Sequence, residues 1–430
     1  MKTTVLSKEG FDLKIGILTI GNELTSGRIR DTNSAFIAEA VNRQGWQVSV
    51  IMSVGDEHAD IRKGLDYILG AADAAIVTGG LGPTADDITT EAVAKAYGLT
   101  LYTDETVLQE VRSRLERLRV AWTPNNAKQA MFPKGAIPIY NPTGTAWGFA
   151  LKRADKLIAV IPGVPREVMR MLPEGVIPLL KEIEPGPRTA VVSRTVKLFG
   201  LSESKVDQTV SGLDLRVEGL SIGFYPRFPE NHLVLTVRAP SEEEARKTLL
   251  DVESKVEGAL RKYIFGHDDD TIEGIVASLL TRKSLTLAVA ESCTGGLIVD
   301  RLTDVPGSSL FLERGYVVYS NKSKTDLLGV PAEVIDRFGA VSEETARLMA
   351  EGAVKKAGTD LGVGVTGIAG PTGGTEAKPV GTVYIALADR EKTTCRLFHF
   401  RGERRRVKEI SAQWALEMLR RYLTGAYPHD

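Results

Sequence analysis

Residues 284–296 read SLTLAVAESCTGG, the stretch around which the C-terminal part of the chain is organised. Ser284 to Glu291 is short, mostly apolar and bounded by polar residues, the pattern of a buried strand. Thr294-Gly295-Gly296 then opens an apolar-periodic segment of helical spacing. Ser292 therefore stands where a strand turns into a helix, at the carboxyl edge of a sheet. Helix N-terminal amides there are placed to stabilise a developing oxyanion. A serine in this position needs a base.

Histidine does not supply one. The five histidines, His58, His232, His267, His399 and His429, are scattered singly, and none makes a triad spacing with an acid and a serine. A lysine serves instead if burial lowers its pKa. Residues 314–324 read RGYVVYSNKSK, which predicts an apolar strand over Tyr316 to Ser320 with Lys324 at its end; Lys322 is the nearest competitor. Cys293 adjoins the serine and is the intrinsically better nucleophile, but one step into the turn its side chain should point away, as a small buried thiol. Taken singly, Ser292 suits a helix cap, Lys324 a solvated surface and Tyr319 a strand aromatic. The combination carries the chemistry.

Farther on come VTGIAGPTGG (365–374) and KPVGTVY (378–384), a glycine-rich loop between apolar strands that allows close backbone approach to a ligand. With ESCTGG, RGYVVYSNKSK and GAVSEETA (339–346), these segments resemble the C-terminal domain of the CinA family, over about Thr271 to Leu423. That domain is similar to nicotinamide-nucleotide amidohydrolases, which deamidate nicotinamide mononucleotide. The resemblance implies Ser292 as nucleophile, Lys324 as base and Tyr319 as a helper that orients or relays the proton. It also implies Thr366, Gly367 and Gly370 at the substrate and Arg404, in the basic run 401–408, on its phosphate. This half is expected to need no cofactor.

The N-terminal third carries independent signals. KIGILTIG (14–21) and DAAIVT (73–78) read as buried strands, the first leading through Asn22-Glu23-Leu24 to a helix near Asn33. The second runs into GGLGPTADDITTE (79–91), a glycine-rich turn before a helix, which can bind an anion through its amides. It is neither a Walker loop nor a dinucleotide fingerprint. Asp86, Asp87 and Glu91 beside it suit a hard divalent cation shared with phosphates, while Asp86 and Glu91 equally suit helix-start carboxylates.

With NPTGTA (141–146) and IPGVPRE (161–167), this region resembles the molybdopterin-binding-like domain that opens CinA proteins, over roughly Leu13 to Pro185. The resemblance implies a three-layer α/β domain on a parallel sheet that hydrolyses ADP-ribose to AMP and ribose 5-phosphate. It places a divalent metal (Mg, Mn or Co), with K as an accompanying ion, at Asp87, helped by Asp86 and Glu23. Gly79, Gly80, Gly82 and Thr84, with Asn141, Gly144 and Thr145, are then expected at the substrate.

The whole is read as an α/β protein of 430 residues with three domains, 13–185, 188–266 and 271–423, separated at Glu184–Pro187 and at His267–Asp270. The middle segment alternates strand-like runs with helical patterns near Ser202–Ser211 and Ser241–Lys262, a small α+β unit that in position matches the KH-like domain of the family. It lacks the Gly-x-x-Gly clamp of RNA-binding KH modules, so a spacer or dimer-organising role is expected. Lys and Arg total 54 against 55 Asp and Glu, leaving no basic field for nucleic acid. Two cysteines, Cys293 and Cys395, form neither a metal spacing nor a disulfide framework, as in a reducing cytosol. Residues 1–12 lack the apolar core of a signal peptide and read as a loose extension, and no apolar run reaches membrane-span length. The expectation is a cytoplasmic homodimer without membrane or nucleic-acid partners, taking nicotinamide mononucleotide and ADP-ribose as substrates. A regulatory partner in competence and recombination, or a molybdopterin-binding protein, is the alternative.

Overall fold

The computed structural model describes residues 13–153, 155–184 and 190–426. The extension 1–12 and residues 185–187 of the expected boundary at 184–187 lie outside the described residues. The described chain forms two compact units: one holds the residues up to Ser193 with Val217–Ser221 and Thr236–Leu250, the other Arg194–Arg216, Ile222–Leu235 and the remainder from Asp251. The middle segment is thus shared between them.

The N-terminal strands are β1 (Lys14–Ile20), β2 (Gln47–Val54), β3 (Ala74–Thr78), β4 (Leu101–Thr103), β5 (Met131–Pro133), β6 (Ile137–Ile139), β7 (Gly148–Arg153) and β8 (Lys156–Ile161). β4 and β5 form a separate pair; the other six make one sheet in the order β2-β1-β3-β8-β7-β6. Its first four strands are parallel, since helices such as Asn33–Arg43 and His58–Ala71 return the chain between them. β7 and β6 add an antiparallel edge that the expected parallel sheet did not include, because β7 and β8 follow each other too closely for a crossover. Along β1 the side chains alternate: Ile15 and Ile17 join Ile37, Ile76 and Met171 on one face, while Leu18 and Ile20 join Val77, Phe132 and Phe149 on the other. Both faces are covered, which gives three layers.

The middle strands β9 (Ala190–Leu198), β10 (Leu220–Arg227), β11 (Glu230–Ala239) and β12 (Ile264–His267) form a sheet in the order β10-β11-β9-β12, accompanied by helices Glu203–Ser211 and Glu242–Leu260.

The C-terminal sheet holds β13 (Leu287–Glu291), β14 (Leu312–Val317), β15 (Leu361–Gly367), β16 (Thr382–Ala388) and β17 (Thr393–His399) in the order β14-β13-β15-β16-β17. β14, β13 and β15 are parallel, and β16 and β17 close the sheet antiparallel. Leu287 and Val289 pack with Val276, Leu280 and Leu416 from helices Ile272–Arg282 and Arg404–Leu423. Ala288 and Ala290 meet Met349 and Ala353 of helix Glu343–Ala357 on the other face. Small residues there let that helix lie close to the central strands. Among the described residues no helix is long and apolar enough to cross a membrane.

Two candidate active sites

The C-terminal site is built on the carboxyl edge of β13. The strand ends at Glu291, and Ser292 follows in the turn, its N–H donating to Val365 O of the neighbouring strand at 2.9 Å. Gly295 and Gly296 take φ of +63° and +95°, which lets the chain reverse into helix Leu297–Thr303. The expected strand over Tyr316 to Ser320 stops at Val317. Ser320 instead caps helix Asn321–Leu328 by accepting from Ser323 N at 3.0 Å, a turn chemistry that outcompetes strand propensity. Lys324 therefore sits one turn into a helix and points back into the fold.

Lys324 is 1% exposed and Ser292 8%. The lysine Nζ donates to Ser292 Oγ at 3.1 Å, to Val318 O at 2.8 Å and to Tyr319 O at 3.3 Å. Burial holds its pKa below the ordinary 10.5. In the neutral amine, two N–H groups can stay on the two carbonyls while the lone pair faces the serine hydroxyl. Lys322, the competitor, is exposed and paired with Asp326. Cys293 is 6% exposed, and burial pushes its thiol up to about 12, so it is protonated at neutral pH.

The Tyr319 side chain is exposed, and its hydroxyl accepts from Arg404 Nη2 at 3.0 Å, whereas its backbone carbonyl serves Lys324. Arg404 also donates from Nη1 to Gly370 O at 2.8 Å, drawing the first residue of helix Arg404–Leu423 to the glycine loop. Thr366 is buried, and its hydroxyl is spent on Ala340 O at 2.6 Å, so it ties β15 to the segment before helix Glu343–Ala357. Gly367 stands beside Val383 with no space for a Cβ.

Three groups here escaped the sequence reading. Glu291 is fully buried, and its carboxylate accepts from the N–H groups of Gly296 (3.0 Å), Ile298 (3.2 Å) and Val299 (3.0 Å). The helix amides expected to meet an oxyanion are thus already engaged by a carboxylate of the chain. Lys378 pins Phe338 O and Val341 O at 2.8 and 2.7 Å. Thr294 Oγ1 is buried without a hydrogen-bond partner.

The N-terminal site lies at the carboxyl ends of β1, β3 and β8. Gly79, at φ +106°, donates from its amide to Ile161 O, and a Cβ there would meet Ile20 O at 2.2 Å. Only glycine fits. Gly80 is also in the left-handed region, and a Cβ on Gly82 would strike the Asp87 carboxylate. Asp87 Oδ2 accepts from Thr84 N at 2.8 Å and from the Thr84 hydroxyl, closing the turn on itself. Lys128 donates to Thr84 O at 3.2 Å and lines the crevice formed with Gly80, Gly82, Asp87 and Glu91. Asp56, absent from the sequence reading, accepts from Asn22 N at 2.8 Å. Burial first, then the nearby charges of Glu23, Asp86 and Asp87, raise its carboxyl pKa. These acids crowd one region, but the oxygens of Glu23, Asp86 and Asp87 do not converge as a ready three-ligand set.

Asn141 is fully buried and internally saturated: Nδ2 donates to Ala146 O and Glu167 Oε2, and Oδ1 accepts from Thr143 N and Gly144 N. It shapes the 141–146 loop, which Arg114 clamps through the carbonyls of Asn141, Pro142 and Gly144. Thr145 Oγ1 accepts from Gln129 at 3.1 Å.

Comparison with known proteins finds three matching stretches of the chain. Residues 269–423 match the "CinA C-terminal domain" model, residues 16–182 the "Probable molybdopterin binding domain" and residues 193–266 the "Damage-inducible protein CinA KH domain". A "CinA-like protein" of Syntrophus aciditrophicus (strain SB) is 60% identical over 414 residues, 96% of this chain and 99% of that protein. A "CinA-like protein" of Geobacter sulfurreducens is 44% identical over 96% of this chain and 100% of its own length. Among solved structures, the competence/damage inducible protein CihA from Agrobacterium tumefaciens is 40% identical, covers 36% of this chain and 95% of its own, and has a TM-score of 0.35.

Proposed function

Because the chain belongs to the CinA family, we propose that it is a bifunctional hydrolase of pyridine-nucleotide fragments, deamidating nicotinamide mononucleotide at Ser292 and hydrolysing ADP-ribose at the Gly79–Asp87 turn. The observation that carries the reading is the buried Lys324 Nζ 3.1 Å from Ser292 Oγ, with the lysine pKa lowered by burial. Such a pair has a cost in stability and a use in proton transfer, which favours an enzyme over a purely regulatory partner.

Neutral Lys324 takes the Ser292 proton as Oγ attacks the carboxamide carbon, giving a tetrahedral oxyanion. The lysine returns that proton to the amide nitrogen, the C–N bond breaks and ammonia leaves, with the acyl group held on Ser292. Water, deprotonated by the same lysine, hydrolyses the ester to nicotinate mononucleotide. The Arg404 guanidinium is the group available for the substrate phosphate, and its bond to Tyr319 Oη fixes its direction.

At the N-terminal turn, the amides of Gly80, Leu81 and Gly82, between the engaged amides of Gly79 and Thr84, and the Lys128 ammonium are the donors for phosphate oxygens. Asp87, Asp86, Glu23 and Asp56 supply the negative charge that suits a divalent cation; burial first, and then the neighbouring carboxylates, disfavour ionisation of Asp56. Mg, Mn or Co fits such oxygen donors and would polarise the pyrophosphate. The test is product analysis of the full chain with each substrate, with and without EDTA. EDTA is expected to abolish AMP release and leave ammonia release intact; joint loss of both would refute the division of labour.

A further inference from the structure

The His267–Asp270 run, so far only a boundary, is brought against helix Glu242–Leu260. Glu253 and Glu257, one turn apart on that helix, face His267 at the end of β12. His267 Nε2 lies 3.6 Å from Glu253 Oε1 and 3.2 Å from Glu257 Oε1, and all three donor atoms fall within 4.8 Å of one another. Nε2 is sealed from solvent, yet makes no hydrogen bond of acceptable geometry. Glu253 is 9% exposed.

From this we infer that Glu253, Glu257 and His267 form a binding site for a divalent cation of the zinc class, separate from both candidate active sites. Metal–ligand bonds of about 2.0–2.2 Å in a tetrahedron set ligand–ligand edges of about 3.3–3.6 Å, close to the two His267–glutamate distances. One imidazole with two carboxylates is a borderline donor set that suits zinc or cobalt better than calcium or magnesium. Arg194 lies 3.1 Å from Glu253 and 2.5 Å from Asp268, so one guanidinium is shared between two carboxylates here. The ion would tie the helix to β12, just before Thr271 caps helix Ile272–Arg282. With three protein donors, water completes the shell.

The test uses the metal-stripped full chain and Co²⁺, whose visible absorption is strong in a tetrahedral site and weak in an octahedral one. One absorbing equivalent is expected in the wild type and in Asp87→Asn, which alters only the N-terminal site. His267→Ala should lose it, and Glu257→Gln, on the half-exposed side, should bind at least tenfold more weakly while keeping its circular dichroism and deamidase turnover. Zn²⁺ should raise the thermal midpoint of the wild type and not that of His267→Ala. An absorbing equivalent that survives His267→Ala, or a wild type without one, overturns the assignment. Loss of the band in Asp87→Asn alone would place the ion at the other site and equally refute it.

Discussion

Ser292 and Cys293 are adjacent, and their surroundings choose between them. Ser292→Ala should lower deamidase turnover by several orders of magnitude, whereas Cys293→Ala should cost little, because a thiol pushed up to about 12 supplies almost no thiolate at neutral pH. Steady-state ammonia release decides it, and an inactive Cys293→Ala beside an active Ser292→Ala would refute the serine. Lys324→Met should be about as damaging as Ser292→Ala, and the double variant hardly worse than either, since nucleophile and base act as one unit. The pH profile follows from the same lysine. Its folded pKa lies below 10.5, the catalytic form is the neutral amine, and kcat/KM should therefore fall as pH drops through that lowered value and rise to a plateau above it. A rate indifferent to pH across the neutral and alkaline range would count against Lys324 as base.

At the scale of elements, the turn between β13 and helix Leu297–Thr303 is held by a buried carboxylate, and Glu291 is the residue most worth changing there. Glu291→Gln replaces an acceptor oxygen with an amide that cannot accept the N–H groups of Gly296, Ile298 and Val299 together. A loss of about 3 kcal/mol in unfolding free energy is expected, from charged hydrogen bonds and an unsatisfied buried group. Denaturant titration measures it; an unchanged midpoint would show that the carboxylate does not hold the turn. In the other unit, Gly79→Ala would place a Cβ 2.2 Å from Ile20 O at φ +106°. ADP-ribose hydrolysis should be lost while nicotinamide mononucleotide deamidation continues, since the turn lies in a different compact unit from Ser292.

For the molecule as a whole, the two sites belong to separate units and should fail separately. Asp87→Asn removes one charge at nearly constant shape and is expected to abolish AMP release while sparing ammonia release; Ser292→Ala should do the reverse. Assaying both products from each variant checks this, and a variant that loses both with its fold intact would contradict independent sites.

The α/β class, the strand-to-helix turn at Ser292, the glycine turns and the helices of the middle segment were legible in the sequence, because periodicity, capping residues and left-handed glycines act over a few neighbours. Lys324 could be named, but not its place one turn into a helix, since Ser320 as a cap competes with the apolar run before it. Tertiary structure alone decided which long-range partners consume which polar groups. Glu291 takes the helix amides, Thr366 spends its hydroxyl on Ala340, Asn141 reaches out of its loop to Glu167, and Arg404 reaches Tyr319 across 85 residues. The same holds for Asp56 beside Glu23, Asp86 and Asp87, and for His267 beside Glu253 and Glu257. Desolvation and charge crowding depend on what packs around a group, and one-dimensional spacing carries no record of that.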